Sequence, residues 1–370
     1  MSEVVPLFTE LAAVPSPPGE EREVADRVTG YLRDLALEVD EDDAGALVGS
    51  NAGNLYARVE PTAEGVPLFF CAHLDTVPPH GPLEPVLVDG VVRNAGGTIL
   101  GADNKAAVAV MLEATRLVLS EGRPHAGIEL LFTPKEEVGL LGAAAFDAER
   151  LRARVGYVYD QAAPIGEVIL GAPHAHAMQI RFHGRASHSG MYPEEGRSAI
   201  AAAARAIADF RLGRVDEEST ANVGVIHGGT AGNIVPEWCT FVAEARSQDE
   251  AKLADLVQEM LEAVTFAAEL GECEVETEMK KSYRGYRFKQ EDLAVQLATD
   301  ALRRSGREPS FALSGGAADA NVFNERGLQC VNLANGMLNI HTPDEQISVD
   351  DLEGMIEVTL ALVDAARDAA

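Results

Sequence analysis

The sequence predicts an α/β fold: a mostly parallel β-sheet with helices on both faces, together with an inserted ferredoxin-like α+β domain. Apolar runs of strand length alternate with longer segments whose apolar residues recur at helical spacing. The run at 68–72 is apolar throughout, as expected for a strand that is buried on both faces. After about residue 172 the order becomes strand, helix, strand, strand, helix, strand, which is the ferredoxin-like order.

The first part of the α/β domain covers residues 1–172. Two helices open it, one at 3–14 and a second that follows Ser16. The other predicted elements are the strands at 54–60, 67–77, 128–134 and 155–160 and the helices at 104–119 and 140–146. Alternation of strands with helices is typical of a parallel sheet whose connections cross its faces.

The inserted domain covers residues 173–286, and the α/β domain resumes at 287–370. The strand at 175–184 alternates polar and apolar residues, so one of its faces should be exposed. The other elements of the inserted domain are strands at 221–228, 238–246 and 273–283 and helices at 198–210 and 249–271. The elements after it are helices at 291–305 and 349–368 and strands at 309–313 and 329–334.

The chain is strongly acidic, with 59 Asp and Glu residues against 30 Lys and Arg residues and a formal net charge of −29. This charge argues against nucleic acid or an anionic membrane surface as a partner. Only six of the cations are lysines, a balance that resembles adaptation to high salt and that also occurs in acidic proteins of ordinary hosts.

No apolar run reaches membrane-spanning length, and the chain opens with acidic residues where a signal peptide would be basic. We therefore expect a cytoplasmic protein. The four cysteines lie far apart without Cys-x-x-Cys spacing, so reduced core thiols are expected rather than disulfides or a thiolate metal site. A nucleotide-binding Rossmann enzyme is disfavoured because no GxGxxG motif opens the first strand–helix unit.

Five segments place acids or histidines at the ends of apolar runs. In open α/β sheets, ligands bind at the carboxyl ends of the strands, so these groups can converge. Imidazoles and carboxylates without a thiolate suit catalytic zinc, or cobalt or manganese, better than structural zinc. Two ions that share one carboxylate would use five protein groups and leave positions for water. The residues are His73 with Asp75, Asp103, Glu136 with Glu137, Asp160, and His341.

His73 and Asp75 lie two residues apart where the buried run ends, so they should project to the same face. A metal-binding histidine is commonly oriented by an acid on its other ring nitrogen. Taken alone, His73 would be a core histidine, Asp75 a turn residue and Asp103 a helix N-cap. The recurrence of such residues in five segments is what favours a metal site.

Glu136 and Glu137 directly follow the predicted strand at 128–134. Successive residues of an extended segment point in opposite directions, so the two side chains do not easily bind one ion. One can hold a metal ion while the other faces the bound water as general base. The spacing alone does not say which glutamate has which role.

Read in chain order, the motifs HLDT, GADNKAA, TPKEEVG, YD and NIHTPDE resemble those of the di-zinc exopeptidase and aminoacylase family. The resemblance covers nearly the whole chain, including the inserted domain, and the ordered motif set is highly specific. The forms GADNKAA and GGTAGNIVP are most similar to the peptidase T branch of that family.

This resemblance implies a role for each residue of the predicted metal site. It implies that His73 and Asp160 hold one ion, that Glu137 and His341 hold the other, and that Asp103 bridges both. Asp75 would steady His73. Glu136 would be the general base and later the proton donor. These roles agree with the spacing argument and supply the assignments that the spacing leaves open.

The resemblance also makes the inserted domain a lid and dimerisation domain. His188 in RASHSG matches a histidine that in relatives reaches the partner subunit's active site and stabilises the oxyanion; without the resemblance it would be a surface histidine. Asn233 and Arg246 match residues that bind the substrate carboxylate, a task that suits the planar guanidinium group. Gly315 and Gly316 match a loop whose backbone amides line the substrate site. A homodimer is therefore expected.

The predicted activity is metal-dependent hydrolysis of an amide by an exopeptidase that cleaves short peptides, in the manner of a tripeptidase or aminopeptidase. An N-acyl amino acid deacylase or a carboxypeptidase of the same family is the alternative, because all of these would need Arg246. A non-enzymatic metal-binding scaffold would be expected to lose the base or a ligand, and none is missing. The expected partner is a short peptide or an N-acyl amino acid, with no nucleic acid and no membrane.

Overall fold

A computed structural model describes residues 3–369 of the chain. The chain divides into two compact units. The smaller unit is the continuous segment Ala172–Tyr286, and the larger unit is formed by the chain up to Gly171 and from Arg287 onward. Each unit is described here by itself.

The larger unit holds most of the helices and strands. Before the smaller unit its elements are α1 (Val4–Ala12), α2 (Arg22–Asp34), β1 (Val39–Glu41), α3 (Ala44–Val48), β2 (Leu55–Val59), β3 (Leu68–His73), β4 (Pro85–Val88), β5 (Val91–Asn94), α4 (Ala102–Glu121), β6 (Ile128–Thr133), α5 (Leu141–Ala145), β7 (Val155–Gln161) and β8 (Glu167–Ala172).

The smaller unit contains β9 (His174–His183), α6 (Ala199–Asp209), β10 (Gly213–Arg214), β11 (Ser219–Gly228), β12 (Trp238–Ser247), α7 (Glu250–Gly271) and β13 (Glu274–Tyr283). The chain continues with β14 (Tyr286–Arg287), α8 (Leu293–Arg304), β15 (Ser310–Leu313), α9 (Asp319–Glu325), β16 (Gln329–Ala334), β17 (Gln346–Ser348) and α10 (Val349–Asp368).

The main sheet has nine strands in the order β1-β2-β6-β3-β7-β16-β8-β14, with β15 beside β8. Its centre, β6-β3-β7-β16, is parallel, and antiparallel pairs flank it on both sides. Every residue of β3 and β6 is buried, which is why both strands are mostly apolar, although β6 also contains the buried Glu129. The predicted α/β class is confirmed.

Helices pack on both faces of this sheet. Successive residues of β3 point to opposite faces. The Phe70 ring lies 6.0 Å from that of Tyr157, in the core shared with α1, α2, α4, α8 and α10. The Phe69 ring instead lies 5.2 Å from that of Phe323 in α9. Both faces of the strand are therefore covered, as predicted.

The smaller unit is a five-stranded antiparallel sheet in the order β10-β11-β12-β9-β13, with α6 and α7 on one face. Alternate residues of β12 are buried against these helices, among them Phe241 and Ala243, while Val242 and Trp238 are exposed. This alternation produces the polar–apolar pattern in the sequence, and the strand order is the predicted ferredoxin-like one.

Several short elements were not predicted. A three-stranded sheet, β17-β5-β4, stands apart from the main one, and β1, β8, β10, β14, α3 and α9 were also missed. Strand β3 ends at His73 rather than at residue 77. All four cysteines are free thiols, as expected. Within residues 3–369, no helix is long and apolar enough to cross a membrane.

Candidate metal centre

The predicted metal ligands meet at the carboxyl ends of the central parallel strands. His73 is the last residue of β3, Asp160 lies near the end of β7, and the two glutamates follow β6 by a short turn. Asp103 comes from the start of α4, and His341 comes from the loop before β17. Strand order explains the convergence because β6, β3 and β7 are neighbours in the sheet.

Asp103 lies between two imidazoles, one on each of its carboxylate oxygens. Its Oδ1 is 3.1 Å from Nε2 of His73, and its Oδ2 is 3.2 Å from Nε2 of His341. On the first side, Oδ1 of Asp160 lies 3.8 Å from His73 Nε2. On the second side, Oε1 of Glu137 lies 3.0 Å from His341 Nε2. The site therefore consists of two histidine–carboxylate clusters that share Asp103.

The donor chemistry fits a pair of divalent cations. Among residues 3–369, two triples of ligand-type side chains have donor atoms within 4.8 Å of one another: His73 with Glu136 and Asp160, and His73 with Asp103 and Glu137. Nitrogen and oxygen donors with a shared carboxylate are what a two-metal catalytic site requires. Both glutamates occur in these triples, so proximity alone does not separate the ligand from the base.

Asp75 contacts both His73 and the glutamate turn. Nδ1 of His73 lies 2.9 Å from the backbone carbonyl oxygen of Asp75 and 3.5 Å from its carboxylate. The carboxylate also accepts the backbone N–H groups of Glu136 at 2.9 Å and Glu137 at 3.1 Å. The structure thus places Asp75 beside Nδ1 of His73, and its steadying role toward a metal-bound His73 stays a prediction. The hydrogen bonds to the two glutamates were not predicted.

Three further buried or part-buried side chains hold the ligand loops, and the sequence reasoning missed all of them. Glu21 accepts the N–H of Lys135 at 3.2 Å. Asn332 exchanges two hydrogen bonds of 2.9 Å with the backbone of Asp160. Glu345 accepts backbone N–H groups around Asp103. The available signals were polar residues inside or beside apolar motifs: Asn332 in QCVNLA and Glu345 in NIHTPDE.

Both imidazoles have raised pKa values in the metal-free protein. Burial lowers the pKa of His73, but the Asp103, Asp160 and Asp75 carboxyl groups around it raise this pKa well above its ordinary value. Contacts with Asp103 and Glu137 raise the pKa of His341 to about 10. The surrounding carboxylates therefore favour positive charge at the centre of the site.

The carboxyl groups separate into two classes. Burial would raise the pKa of Asp103, but its hydrogen bonds to His341 and His73 hold that pKa well below its usual range. Burial, together with neighbouring carboxylates, raises the pKa of Glu136 and of Asp160 well above theirs. The hydrogen bonds from the two imidazoles thus favour the charged form of Asp103.

Metal binding should release protons. A ligand must lose its proton before it coordinates, and neighbouring carboxylates raise the pKa of both imidazoles. Zinc loading at pH 7 should therefore release protons, and apparent affinity should rise with pH up to about 10, the pKa of His341. Calorimetric titration in two buffers of different ionisation enthalpy counts the protons. Equal heats in both buffers, with an affinity that does not change with pH, would contradict the protonation of these histidines.

Gly315 and Gly316 lie in the loop between β15 and α9. The N–H of Gly316 donates to Oγ of Ser314 in the same loop at 3.1 Å. The predicted contact of these amides with substrate remains a prediction. The same loop leads to Asp319, which the sequence reasoning did not single out. Asp319 is buried, and its Oδ2 accepts from the Thr133 hydroxyl at 2.5 Å.

The structure brings together two of the three predicted substrate residues of the smaller unit. The loops that carry His188 and Asn233 are paired, with the N–H of Ser189 donating to the Asn233 carbonyl at 3.0 Å. Arg246 lies near the other end of β12, where its guanidinium donates to Glu244 at 3.0 Å. The roles of these residues toward substrate stay predictions.

The exposed ring of His188 has a defined tautomer. Its Nδ1 accepts the backbone N–H groups of Gly190 and Met191, each at 3.2 Å. Because Nδ1 is an acceptor, the neutral ring carries its proton on Nε2. The side chain therefore presents an N–H donor, which is the chemistry that an oxyanion needs.

Two family models match parts of the chain. The peptidase dimerisation domain of the M20 family matches residues 171–272. Peptidase family M28 matches residues 54–177, the stretch that contains His73, Asp103, both glutamates and Asp160.

Three individual proteins are similar along the whole chain. Protein YqjE of Bacillus subtilis, uncharacterized, is 37% identical and covers 97% of each chain. The crystal structure of aminopeptidase PepT from Bacillus cereus is 40% identical, with a TM-score of 0.89 over 98% of each chain. That of a tripeptidase from Staphylococcus aureus is 34% identical, with a TM-score of 0.94 over 99% of this chain and 98% of its own.

Proposed function

This chain belongs to the peptidase T-like branch of the M20 metallopeptidases, and we propose that it is an aminopeptidase of tripeptides. As a family member it is a metal-dependent exopeptidase that acts on short peptides. The observation that carries the proposal is the Asp103 carboxylate between two imidazoles, one on each oxygen, which suits a pair of ions bridged by one ligand. The finer substrate class is supported by the Bacillus cereus aminopeptidase and the Staphylococcus aureus tripeptidase.

We assign two divalent ions, most suitably zinc, to the ligands described above. Asp103 would hold both ions. His73 and Asp160 would complete one site, and Glu137 and His341 would complete the other. Cobalt and manganese suit the same nitrogen and oxygen donors. The raised pKa values of His73 and His341 indicate that the carboxylates of the site favour positive charge there, as a pair of cations would need.

When bound, such an ion pair supplies a water whose pKa falls from near 16 toward about 7. Glu136 takes the proton of the attacking water and later delivers it to the amine that leaves. Glu136 is almost fully buried, and its backbone N–H donates to the Asp75 carboxylate, which fixes the backbone from which its side chain starts. Burial also raises its pKa, which suits a group that must both accept and return a proton.

The smaller unit supplies the remaining groups in this proposal. The Nε2–H of His188 stabilises the oxyanion, and Asn233 and Arg246 bind the carboxylate of the peptide. The guanidinium of Arg246 is held by Glu244, and its Nε is buried without a protein acceptor in the described part of the chain. We further propose a homodimer, which the match of residues 171–272 to a peptidase dimerisation domain supports.

A panel of blocked and unblocked substrates tests this function. Zinc-loaded protein should release the first residue of a tripeptide with free ends and leave a dipeptide, as mass spectrometry of the products would show. N-acetylation of the same tripeptide should prevent cleavage. Release of the third residue first would indicate a carboxypeptidase. Hydrolysis of N-acetyl or N-succinyl amino acids in preference to the tripeptide would indicate a deacylase.

A further inference from the structure

The side chain of Glu345 is buried between two loops of the larger unit, both of which carry metal ligands in the proposed function. Its Oε2 accepts the backbone N–H groups of Leu100 at 2.7 Å and Gly101 at 2.8 Å. Its Oε1 accepts the N–H of Asp103 at 3.0 Å. Only 2% of the residue is exposed. One carboxylate thus satisfies three N–H groups at the start of α4.

These three N–H groups depend on Glu345 because the start of α4 is irregular. Gly101 has a left-handed φ of 77°, and the backbone angles of Asp103 and Asn104 are not helical. The first N–H groups of a helix have no acceptor within the helix. Without Glu345 they would be buried donors with no partner, and the backbone that aims the Asp103 side chain would have no fixed support.

Glu345 also belongs to the loop of His341. Its own N–H donates to the carbonyl of Thr342 at 3.1 Å, which closes the turn that follows His341. The side chain of Glu345 therefore ties the turn of His341 to the segment of Asp103. Nε2 of His341 and Oδ2 of Asp103 lie 3.2 Å apart. A shift of either loop would change this separation directly.

We propose that Glu345 is a positioning residue that sets the distance between Asp103 and His341, and with it the affinity of the ion that these two residues share. This inference rests on the proposed function. Both carboxylate oxygens of Glu345 are engaged by backbone N–H groups, so its effect would pass through the geometry of the ligands. The other ion should depend on it less, because His73 and Asp160 come from β3 and β7, which are held by the sheet.

Glu345→Gln is the sharpest variant, because it keeps the shape and volume of the side chain while it replaces one acceptor oxygen with an NH₂ donor. At least one of the three N–H groups then faces another donor. Substitution of a residue that hydrogen-bonds a metal ligand typically lowers metal affinity by about 10–100-fold. Equilibrium dialysis of metal-free protein with zinc should show a first ion bound as in the wild type and a second ion bound about 10–100-fold more weakly. At saturating zinc, kcat should return to the wild-type value.

Glu129→Gln is the matched control. Glu129 is also 2% exposed and accepts two backbone N–H groups, those of Arg152 at 3.2 Å and Ala153 at 2.8 Å. This variant should lose thermal stability and bind both ions normally. Glu345→Asp, which keeps the charge but withdraws the oxygens by one methylene, provides a second test and should give an intermediate affinity for the second ion.

Two results would overturn the role of Glu345. One is tight binding of both ions by Glu345→Gln. The other is an equal loss of affinity for both ions together with a loss of thermal stability, which is the result expected of a residue with a purely structural role. Failure of the proposed function looks different: the wild-type protein itself would bind fewer than two ions per chain or leave every peptide of the panel intact.

Discussion

Glu136→Gln should keep both ions bound and lower kcat by about 10²–10⁴-fold, because it removes only the group that accepts the proton of the attacking water. Glu137→Ala should instead lose metal, since Glu137 completes the cluster with His341 at 3.0 Å. The two neighbouring residues are therefore expected to differ in phenotype. Metal content by atomic absorption and steady-state kinetics on a tripeptide measure the difference.

The experiment is informative because proximity does not decide between these residues. Glu136 itself lies within 4.8 Å of donor atoms of His73 and Asp160, as a ligand would. If Glu136→Gln lost an ion while Glu137→Gln kept both and lost turnover, the roles would be exchanged. Glu149→Gln, an exposed acid of the same unit, is the control for a simple change of charge.

The orientation of the glutamate turn supports the assigned order. The backbone N–H groups of both glutamates donate to the Asp75 carboxylate, which fixes the backbone from which the two side chains start. The Glu137 carboxylate meets His341, and burial raises the pKa of Glu136. A glutamate already paired with an imidazole suits a ligand, and a buried glutamate with a raised pKa suits a proton carrier.

The central sheet was predictable because the burial of a strand determines the pattern of its apolar residues in the sequence. Strands β3 and β6 are buried along their whole length, so β3 appears as an apolar run up to His73 and β6 as a mostly apolar segment that contains Glu129. Strand β12 is buried on one face only and appears as an alternating run. Strands of two to four residues, such as β10 and β17, leave too short a pattern to be recognised.

The metal ligands could be predicted because they follow such runs. The residues that hydrogen-bond the backbone around these ligands could not be predicted in this way. His73 and Asp160 stand where an apolar strand ends, and that position is visible in the sequence. The acceptors of backbone N–H groups, such as Glu345, act on residues about 245 positions away. No local pattern records that contact. The end of β3 depends on the same kind of long-range bond, between Leu74 N–H and the Thr133 carbonyl.

His188→Ala should lower kcat by about 10²–10³-fold with metal content unchanged, because it removes one donor to the oxyanion. The ring is exposed, and Nδ1 is occupied by two backbone N–H groups, so Nε2–H is free to point outward. His183→Ala is the matched control in the same unit. His183 stacks on Trp238 at 4.0 Å and contacts Glu274, so its ring already has partners. Full activity of His188→Ala would remove this residue from the mechanism.

Subunit mixing then decides which active site His188 serves. In a homodimer where His188 acts on the partner's site, a His188→Ala chain keeps its own Glu136 and can receive His188 from a Glu136→Gln chain. Equal mixing gives heterodimers in half of the dimers, each with one intact site, so about a quarter of wild-type activity should return. If His188 acts within its own chain, every site in the mixture carries one defect and no activity returns. Copurification of differently tagged chains confirms that exchange took place, so a silent mixture would then refute action across the dimer.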